Sequence, residues 1–177
     1  MTKILSDYIL TTIDNRGKNP KNYYDKNKHP VIDNVLIKNT IYPDLKMVKR
    51  YIDDETFHTF LRGHVHRNMP LITLVGNGIG NVTLAPNDNV AIIQNTIGFE
   101  TSDELNEIFL YYYFLANQEK IKNFDRGSGQ PSVKKTDILN MEVSFPSVET
   151  QNKIVDILYS IDTKIELNDQ INNNLVA

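Results

Sequence analysis

The sequence predicts an α+β domain followed by one long C-terminal helix. Three observations carry that prediction. Short strand-like segments run from Pro70 to Phe99, an apolar stripe at helical spacing runs from Leu105 to Ile121, and a second stripe at heptad-like spacing runs from Ile154 to Leu175. Helices and strands come in mixed order with no βαβ repeat, which argues against a doubly wound parallel sheet. The expected division is a globular unit over residues 1–146 and a helix over residues 147–177.

The elements are justified in chain order. Ile4, Leu5, Tyr8, Ile9 and Ile13 recur at helical spacing and the run stops at Asn15-Arg16-Gly17, which predicts a short amphipathic first helix. His29 to Asn39 reads as a strand region with Val31, Val35 and Ile37 on one face. Between Pro70 and Phe99, three β-rich runs are separated by Gly-Asn-Gly and Pro-Asn-Asp-Asn, predicting a meander of antiparallel strands. Thr101 and Glu104 form a capping-box pair ahead of Leu105, Ile108, Phe109, Tyr112, Leu115 and Ile121, so a helix is expected to start there. Asn123 to Ser132 is a Gly-rich loop, Ile138 to Val143 a strand or short-helix piece, and Pro146 a stop.

The last segment has its own logic. In a heptad frame Ile154, Ile161, Asn168 and Leu175 share one position, and Ile157, Lys164 and Ile171 share the other, with Leu158 and Ile165 alongside. A single Asn on an apolar seam fixes register or partner choice. The narrow stripe and acidic flanks favour pairing with another helix over packing on the chain's own body, and self-association through these residues is expected.

Composition bounds the function. The chain has 177 residues, 40% hydrophobic and 23% charged, with a net charge of -3 and no cysteine. Wholesale disorder is excluded by the apolar content. The missing Cys excludes disulfide scaffolds, zinc ribbons, iron–sulfur sites and thiol catalysis. No apolar run reaches the ~20 residues of a membrane span, and the N-terminus lacks the apolar core of a signal peptide, so a cytoplasmic protein with no membrane partner is expected. Two of the 19 basic and five of the 22 acidic residues lie from Ser147 onward, leaving 17 of each in the body. Within that neutral body the signs are segregated. Arg16, Lys18, Lys21, Lys26 and Lys28 face only Asp25 over residues 15–28, and Lys120, Lys122, Arg126, Lys134 and Lys135 face only Asp125 over residues 120–135. Smaller clusters sit at Lys46, Lys49, Arg50 and at Arg62, Arg67. Such islands neutralise phosphates locally even when the total charge is near zero, although solvated loops carry charge runs too.

Catalytic constellations are not found. Gly76-Asn77-Gly78-Ile79-Gly80 lacks the dinucleotide spacing and leads into a strand, so it reads as a tight hairpin. His58, His64 and His66 cluster without a carboxylate at matching spacing, and no metal site is assigned to them. Asn19-Pro20-Lys21-Asn22 departs from the amino-methyltransferase element at its last two positions. Pro43-Asp44 with Asp162-Thr163-Lys164 fails as a nuclease motif because its second half lies on the seam helix, and no Gly-x-Ser-x-Gly occurs.

The segment from Phe124 to Ile154 is the most informative. Arg126, Lys134 and Lys135 bracket Gly127-Ser128-Gly129, which permits close backbone approach, and Gln130 offers a donor and an acceptor. Those groups suit phosphate clamping plus base-edge reading in a groove. The same segment closely resembles the end of a target-recognition domain in type I restriction–modification specificity subunits. The resemblance rests on Gly127-Ser128-Gly129-Gln130, on Asp137-Ile138-Leu139-Asn140, on Pro146-Ser147-Val148-Glu149-Thr150-Gln151 and on the helix that follows. The chain departs from the family where Thr150 stands in place of the usual Glu, and it holds one domain-plus-helix unit where a complete subunit has two in tandem.

That resemblance implies a non-catalytic reader of half of a bipartite DNA site. Double-stranded DNA, the modification subunits and the restriction subunit would be its partners. S-adenosylmethionine, ATP and Mg would be bound by those subunits and no cofactor by this chain. The residues expected at DNA are Arg126, Ser128, Gln130, Lys134 and Lys135, with Arg62, Arg67 and Asn77, and two copies of the helix would pair as a homodimer. The competing readings are a protein–protein adaptor with a coiled-coil tail and, third, a metal-dependent hydrolase using His58, His64 and His66.

Overall fold

The computed structural model describes residues 2–125, 127 and 129–175, with side chains described through residue 172. The strands are β1 (Lys3–Ile4), β2 (Ile9–Ile13), β3 (His29–Ile32), β4 (Tyr51–Ile52), β5 (Pro70–Thr73), β6 (Val82–Leu84), β7 (Ala91–Ile92), β8 (Thr96–Thr101) and β9 (Glu142–Val143). The helices are α1 (Glu107–Ala116), α2 (Gln118–Lys122), α3 (Lys135–Leu139) and α4 (Val148–Leu175), joined by short 3-10 turns and a π-type turn over Thr56–Phe60.

A four-stranded antiparallel sheet in the order β2-β8-β5-β6 forms the centre. Side chains alternate across it, as strand geometry requires. Ile72 of β5 and Ile97 and Phe99 of β8 face a core shared with Leu110, Tyr111 and Phe114 of α1, Ile121 of α2 and Ile138 of α3. Leu71 faces the other side, with Val65, Met69, Ile32 and Ile92. Between Ile97 and Phe99, Gly98 turns the same way as Leu71, and a Cβ there would stand 2.7 Å from the Met69 sulfur. Its bare backbone lets the second layer close over the sheet. That layer is a three-stranded unit, β4-β3-β7, in which β3 runs antiparallel to β4 and parallel to β7.

Several expectations need correction. The predicted first helix is a 3-10 turn over Leu5–Tyr8 followed by β2. Leu5 and Tyr8 are buried as foreseen, but the β-branched run Ile9–Ile13 pairs with β8, from Ile9↔Thr101 to Ile13↔Gly98. The strand expected from His29 to Asn39 ends at Ile32. A 3-10 turn over Asn34–Leu36 follows, and Val35 points into solvent rather than sharing a face with Val31. The meander also fails in its third run: Ala91–Ile92 joins β3, the chain reverses at Gln94 with φ of 58°, and Thr96–Thr101 inserts between β2 and β5. Thr101 therefore ends a strand and cannot cap a helix. Asn106 caps α1 instead, its side chain accepting from Phe109 N at 3.0 Å.

The α+β class with antiparallel sheets and a long C-terminal helix is as the sequence predicts. So are the hairpin at Gly76–Gly80, where Gly80 N donates to Thr73 O, and the start of the long helix just after Pro146. At 28 residues, α4 is about 42 Å long.

Candidate nucleic-acid interface

Buried Asn15, fully shielded from solvent, organises one end of the central sheet. Its amide donates to Gly63 O and Ile92 O, both at 3.0 Å, and its carbonyl accepts from Arg62 N at 2.8 Å and Gly63 N at 3.3 Å. Three loops far apart in sequence thus meet on one side chain. A second set of bonds attaches the others. Leu74 N donates to Asn95 O, Gly76 N to Pro131 O and Val133 N to Leu74 O, while the Gln94 amide reaches Asn19 Oδ1 at 3.1 Å. Segments 14–19, 62–63, 74–80, 92–95 and 130–135 therefore form one loop cluster beyond Ile13 and Thr96.

The cluster is cationic and amide-rich. Those segments carry Arg16, Lys18, Arg62, Lys134 and Lys135 against Asp14 alone. Arg16 grips Asp14 through two nitrogens, at 2.8 and 2.6 Å, and the Lys135 ammonium lies 3.7 Å from the same carboxylate and 3.2 Å from Thr12 Oγ1. The Arg16 guanidinium holds the Asp14 carboxyl below the usual carboxylate range. Arg62 donates to Arg16 O at 2.8 Å, and Lys18 lies over the Phe60 ring. Lys134 and Gln130 are exposed. Asn19, Asn77, Gln94, Asn95 and Gln130 add amide groups, and a side-chain amide can satisfy a base edge bidentately.

Of the residues singled out from sequence, Gln130, Lys134, Lys135, Arg62 and Asn77 come together here. Arg126 and Ser128 lie outside the described residues. Arg67 does not join them. It follows His66, whose Nε2 is 3.2 Å from Glu107 Oε1 at the start of α1, and it precedes Asn68, whose side chain accepts from Tyr42. That places Arg67 at the far end of the sheet, and it separates His66 from His58 and His64. Asn15, Asn19, Gln94 and Asn95 were not singled out for this site. The positive φ at Gln94 and the long-range bonds of Asn15 leave no local trace in composition or periodicity.

The far end of the sheet receives α4. Gln151, also fully buried, donates to Glu104 O at 3.0 Å and Pro146 O at 2.9 Å and accepts from Asn106 N at 2.8 Å. Further along, Tyr112 donates to Asp162 at 2.9 Å, the Tyr42 and Tyr159 hydroxyls meet at 3.3 Å, and Glu166 accepts from Ile41 N at 3.2 Å. The hydrogen bond to Tyr42, with burial, raises the Tyr159 phenol to about 12, and burial pushes the Glu166 carboxyl up. Gln151, Val155, Tyr159, Asp162 and Glu166 thus form a docking stripe. The heptad residues lie roughly a third of a turn away around the helix. Ile157, Ile161, Ile165 and Ile171 are 47% to 61% exposed, Leu158 and Asn168 are exposed, and Ile154 is half-buried. The side chain of Leu175 lies outside the described ones. Thr150, where the family usually has Glu, bonds the Ser147 hydroxyl at 3.0 Å in the first turn of α4.

The domain thus presents a cationic loop cluster at one end of the sheet and a helix with an exposed apolar seam at the other. Residues 9–177 match the family described as the type I restriction modification DNA specificity domain, and the chain belongs to that family. Over 94 residues it is 30% identical to the type I restriction enzyme HindI specificity subunit of Haemophilus influenzae, covering 53% of this chain and 18% of that one. The fold is shared with the type I restriction–modification S subunit of M. genitalium (TM-score 0.68, 17% identity, 99% of this chain and 43% of that one). It is shared equally with the HsdS subunit of Thermoanaerobacter tengcongensis (TM-score 0.67, 14% identity, 97% and 39%). A chain solved in work on complex assembly and conformational transition of the type I R-M system aligns at TM-score 0.72 with 15% identity, over 99% of this chain and 41% of that one. The chain spans about two fifths of the length of these solved relatives and less than a fifth of the HindI subunit. Among the described residues, no helix is long and apolar enough to cross a membrane.

Proposed function

We propose that this chain reads one half of a bipartite DNA site for a type I restriction–modification system and performs no catalysis itself. The loop cluster around Asn15 is the DNA-facing surface. Lys134, Lys135, Arg62 and Arg16 meet phosphates there, and Gln130, Asn77 and Gln94 reach base edges. The observation that carries this reading is the convergence of five cations and a set of amides from five separate segments onto the end of the sheet away from α4.

The helix supplies the second half of the function. Its docking stripe fixes it to the recognition domain, and its exposed isoleucine seam pairs with a partner helix, in a second copy or in a second unit of a longer subunit. Modification and restriction subunits assemble on this scaffold. S-adenosylmethionine, ATP and Mg belong to them, and methyl transfer and cleavage occur there.

Duplex binding followed by fluorescence anisotropy from 50 to 300 mM salt tests the assignment. Replacing Lys134 and Lys135 together by alanine is expected to weaken binding on every sequence. It also lowers the slope of log affinity against log salt by about 1 for each phosphate that is no longer neutralised. An unchanged slope would place DNA elsewhere on the molecule.

A further inference from the structure

Three of the four histidines surround one phenylalanine in the three-stranded layer. His29 opens β3 with its ring stacked on Phe57 at 3.8 Å and 3°, His58 stands edge-on to the same ring at 5.0 Å, and His64 lies aslant it at 4.3 Å. The His29 side chain is 5% exposed, and its two nitrogens have different partners. Nδ1 is 2.9 Å from Asn89 O. A carbonyl only accepts, so Nδ1 carries the hydrogen. Nε2 is then aimed at Asp54 Oδ1, 2.8 Å away. A lone pair and a carboxylate at that distance require a cation between them, either a proton or a metal ion. His58 completes the group: one ligand atom each from His29, Asp54 and His58 lies within 4.8 Å of both others.

We propose that His29 Nε2, the Asp54 carboxylate and His58 bind a borderline divalent transition ion, zinc being the representative, with His64 or water in the fourth position. Two imidazoles and one carboxylate suit such an ion and disfavour calcium and magnesium, which take oxygen ligands. The Asn89 carbonyl is the outer partner that a ligating histidine uses to fix its tautomer and ring orientation. A four-coordinate ion with bonds of about 2.0–2.1 Å spaces its ligands about 3.3 Å apart. His29 and Asp54 therefore part by about half an ångström, and the exposed His58 swings inward. The Lys28 ammonium, paired with the other Asp54 oxygen, is itself largely exposed and gives way. The site joins the start of β3, the residue pair after β4 and the π-type turn, so the ion acts as a clasp on this layer. It is independent of the DNA-reading assignment.

Zinc chloride titrated into the untagged chain, followed by calorimetry and by thermal unfolding, tests this. One equivalent is expected to bind in the micromolar range, with an unfolding midpoint that rises with zinc. His58→Ala and Asp54→Asn each weaken binding at least tenfold and abolish the rise. His66→Ala, whose side chain meets Glu107 instead, leaves both unchanged. His58 is exposed, so its variant keeps the native circular dichroism. Absence of stoichiometric binding to the wild-type chain overturns the proposal and leaves a proton between His29 and Asp54. Equal affinity in the His58 and Asp54 variants overturns it as well.

Discussion

The two ends of the central sheet are each fastened by one buried amide, and they are fastened for different purposes. Asn15 collects irregular loops by bonding backbone atoms, and Arg62, Asn77, Gln130 and Lys134 stand exposed on the loops around it. Gln151 collects a single regular element, and the stripe that continues from it adds tyrosine hydroxyls and acidic side chains. The first end is net positive by composition, whereas the segment from Ser147 onward carries the whole -3. Under the proposed function a polyanion at one end and a partner helix at the other make opposite electrostatic demands, and the sheet keeps the two surfaces apart. The near-neutral total charge hides this division.

The largest effect is expected at Asn15. Asn15→Ala strands two backbone N–H and two C=O groups in a shielded site, and a loss of about 3 kcal/mol in urea unfolding is expected, together with loss of duplex binding. Gln151→Ala strands three such groups next to the start of α4. About 2 kcal/mol is expected, and with the loop cluster intact the variant keeps most of its DNA affinity. If both variants lost DNA binding equally, the two ends would not be independent.

Smaller changes sharpen the contrast. Asp14 has its folded carboxyl held below the unfolded value of about 3.9, so its stabilising share is present above roughly pH 4 and disappears as pH falls through the folded value. Asp14→Asn is expected to cost about 1 kcal/mol at pH 7 and nothing measurable at acid pH, in paired urea titrations. The same variant frees Arg16 and Lys135 from their shared carboxylate, and tighter, more salt-sensitive duplex binding follows. The smallest effect on stability belongs to Ile161→Asp, within about 0.5 kcal/mol because the side chain is already exposed. Its effect shows in sedimentation at micromolar concentration, where self-association or assembly with a modification subunit is lost.

How much of this was legible in the sequence differs between the two ends. The long helix was, because seven apolar residues repeat at fixed spacing behind a proline and need no distant partner to be recognised. Its docking stripe was not, since Gln151, Asp162 and Glu166 are polar and read as solvent-facing until Asn106, Tyr112 and Ile41 are placed beside them. At the other end, the Gly-rich hairpin and the basic loop near Lys134 were visible, but their convergence was not. The apolar spacing from Ile4 to Ile13 imitates a helix, and only pairing with β8 makes it a strand. The histidine cluster shows the same limit. Proximity in sequence groups His66 with His58 and His64, whereas the β3–β4 pairing brings His29 and Asp54 to His58.

The way Asn15 makes its bonds has a consequence for the surface it supports. Gly63 O, Ile92 O, Arg62 N and Gly63 N are main-chain atoms, which any amino acid other than proline supplies at positions 62 and 63 and any amino acid supplies at position 92. The frame of the rim is therefore indifferent to most of the side chains mounted on it. The cations and amides on the rim can be exchanged while the loops keep their places, so the charge and hydrogen-bonding pattern of this surface can change without a new fold.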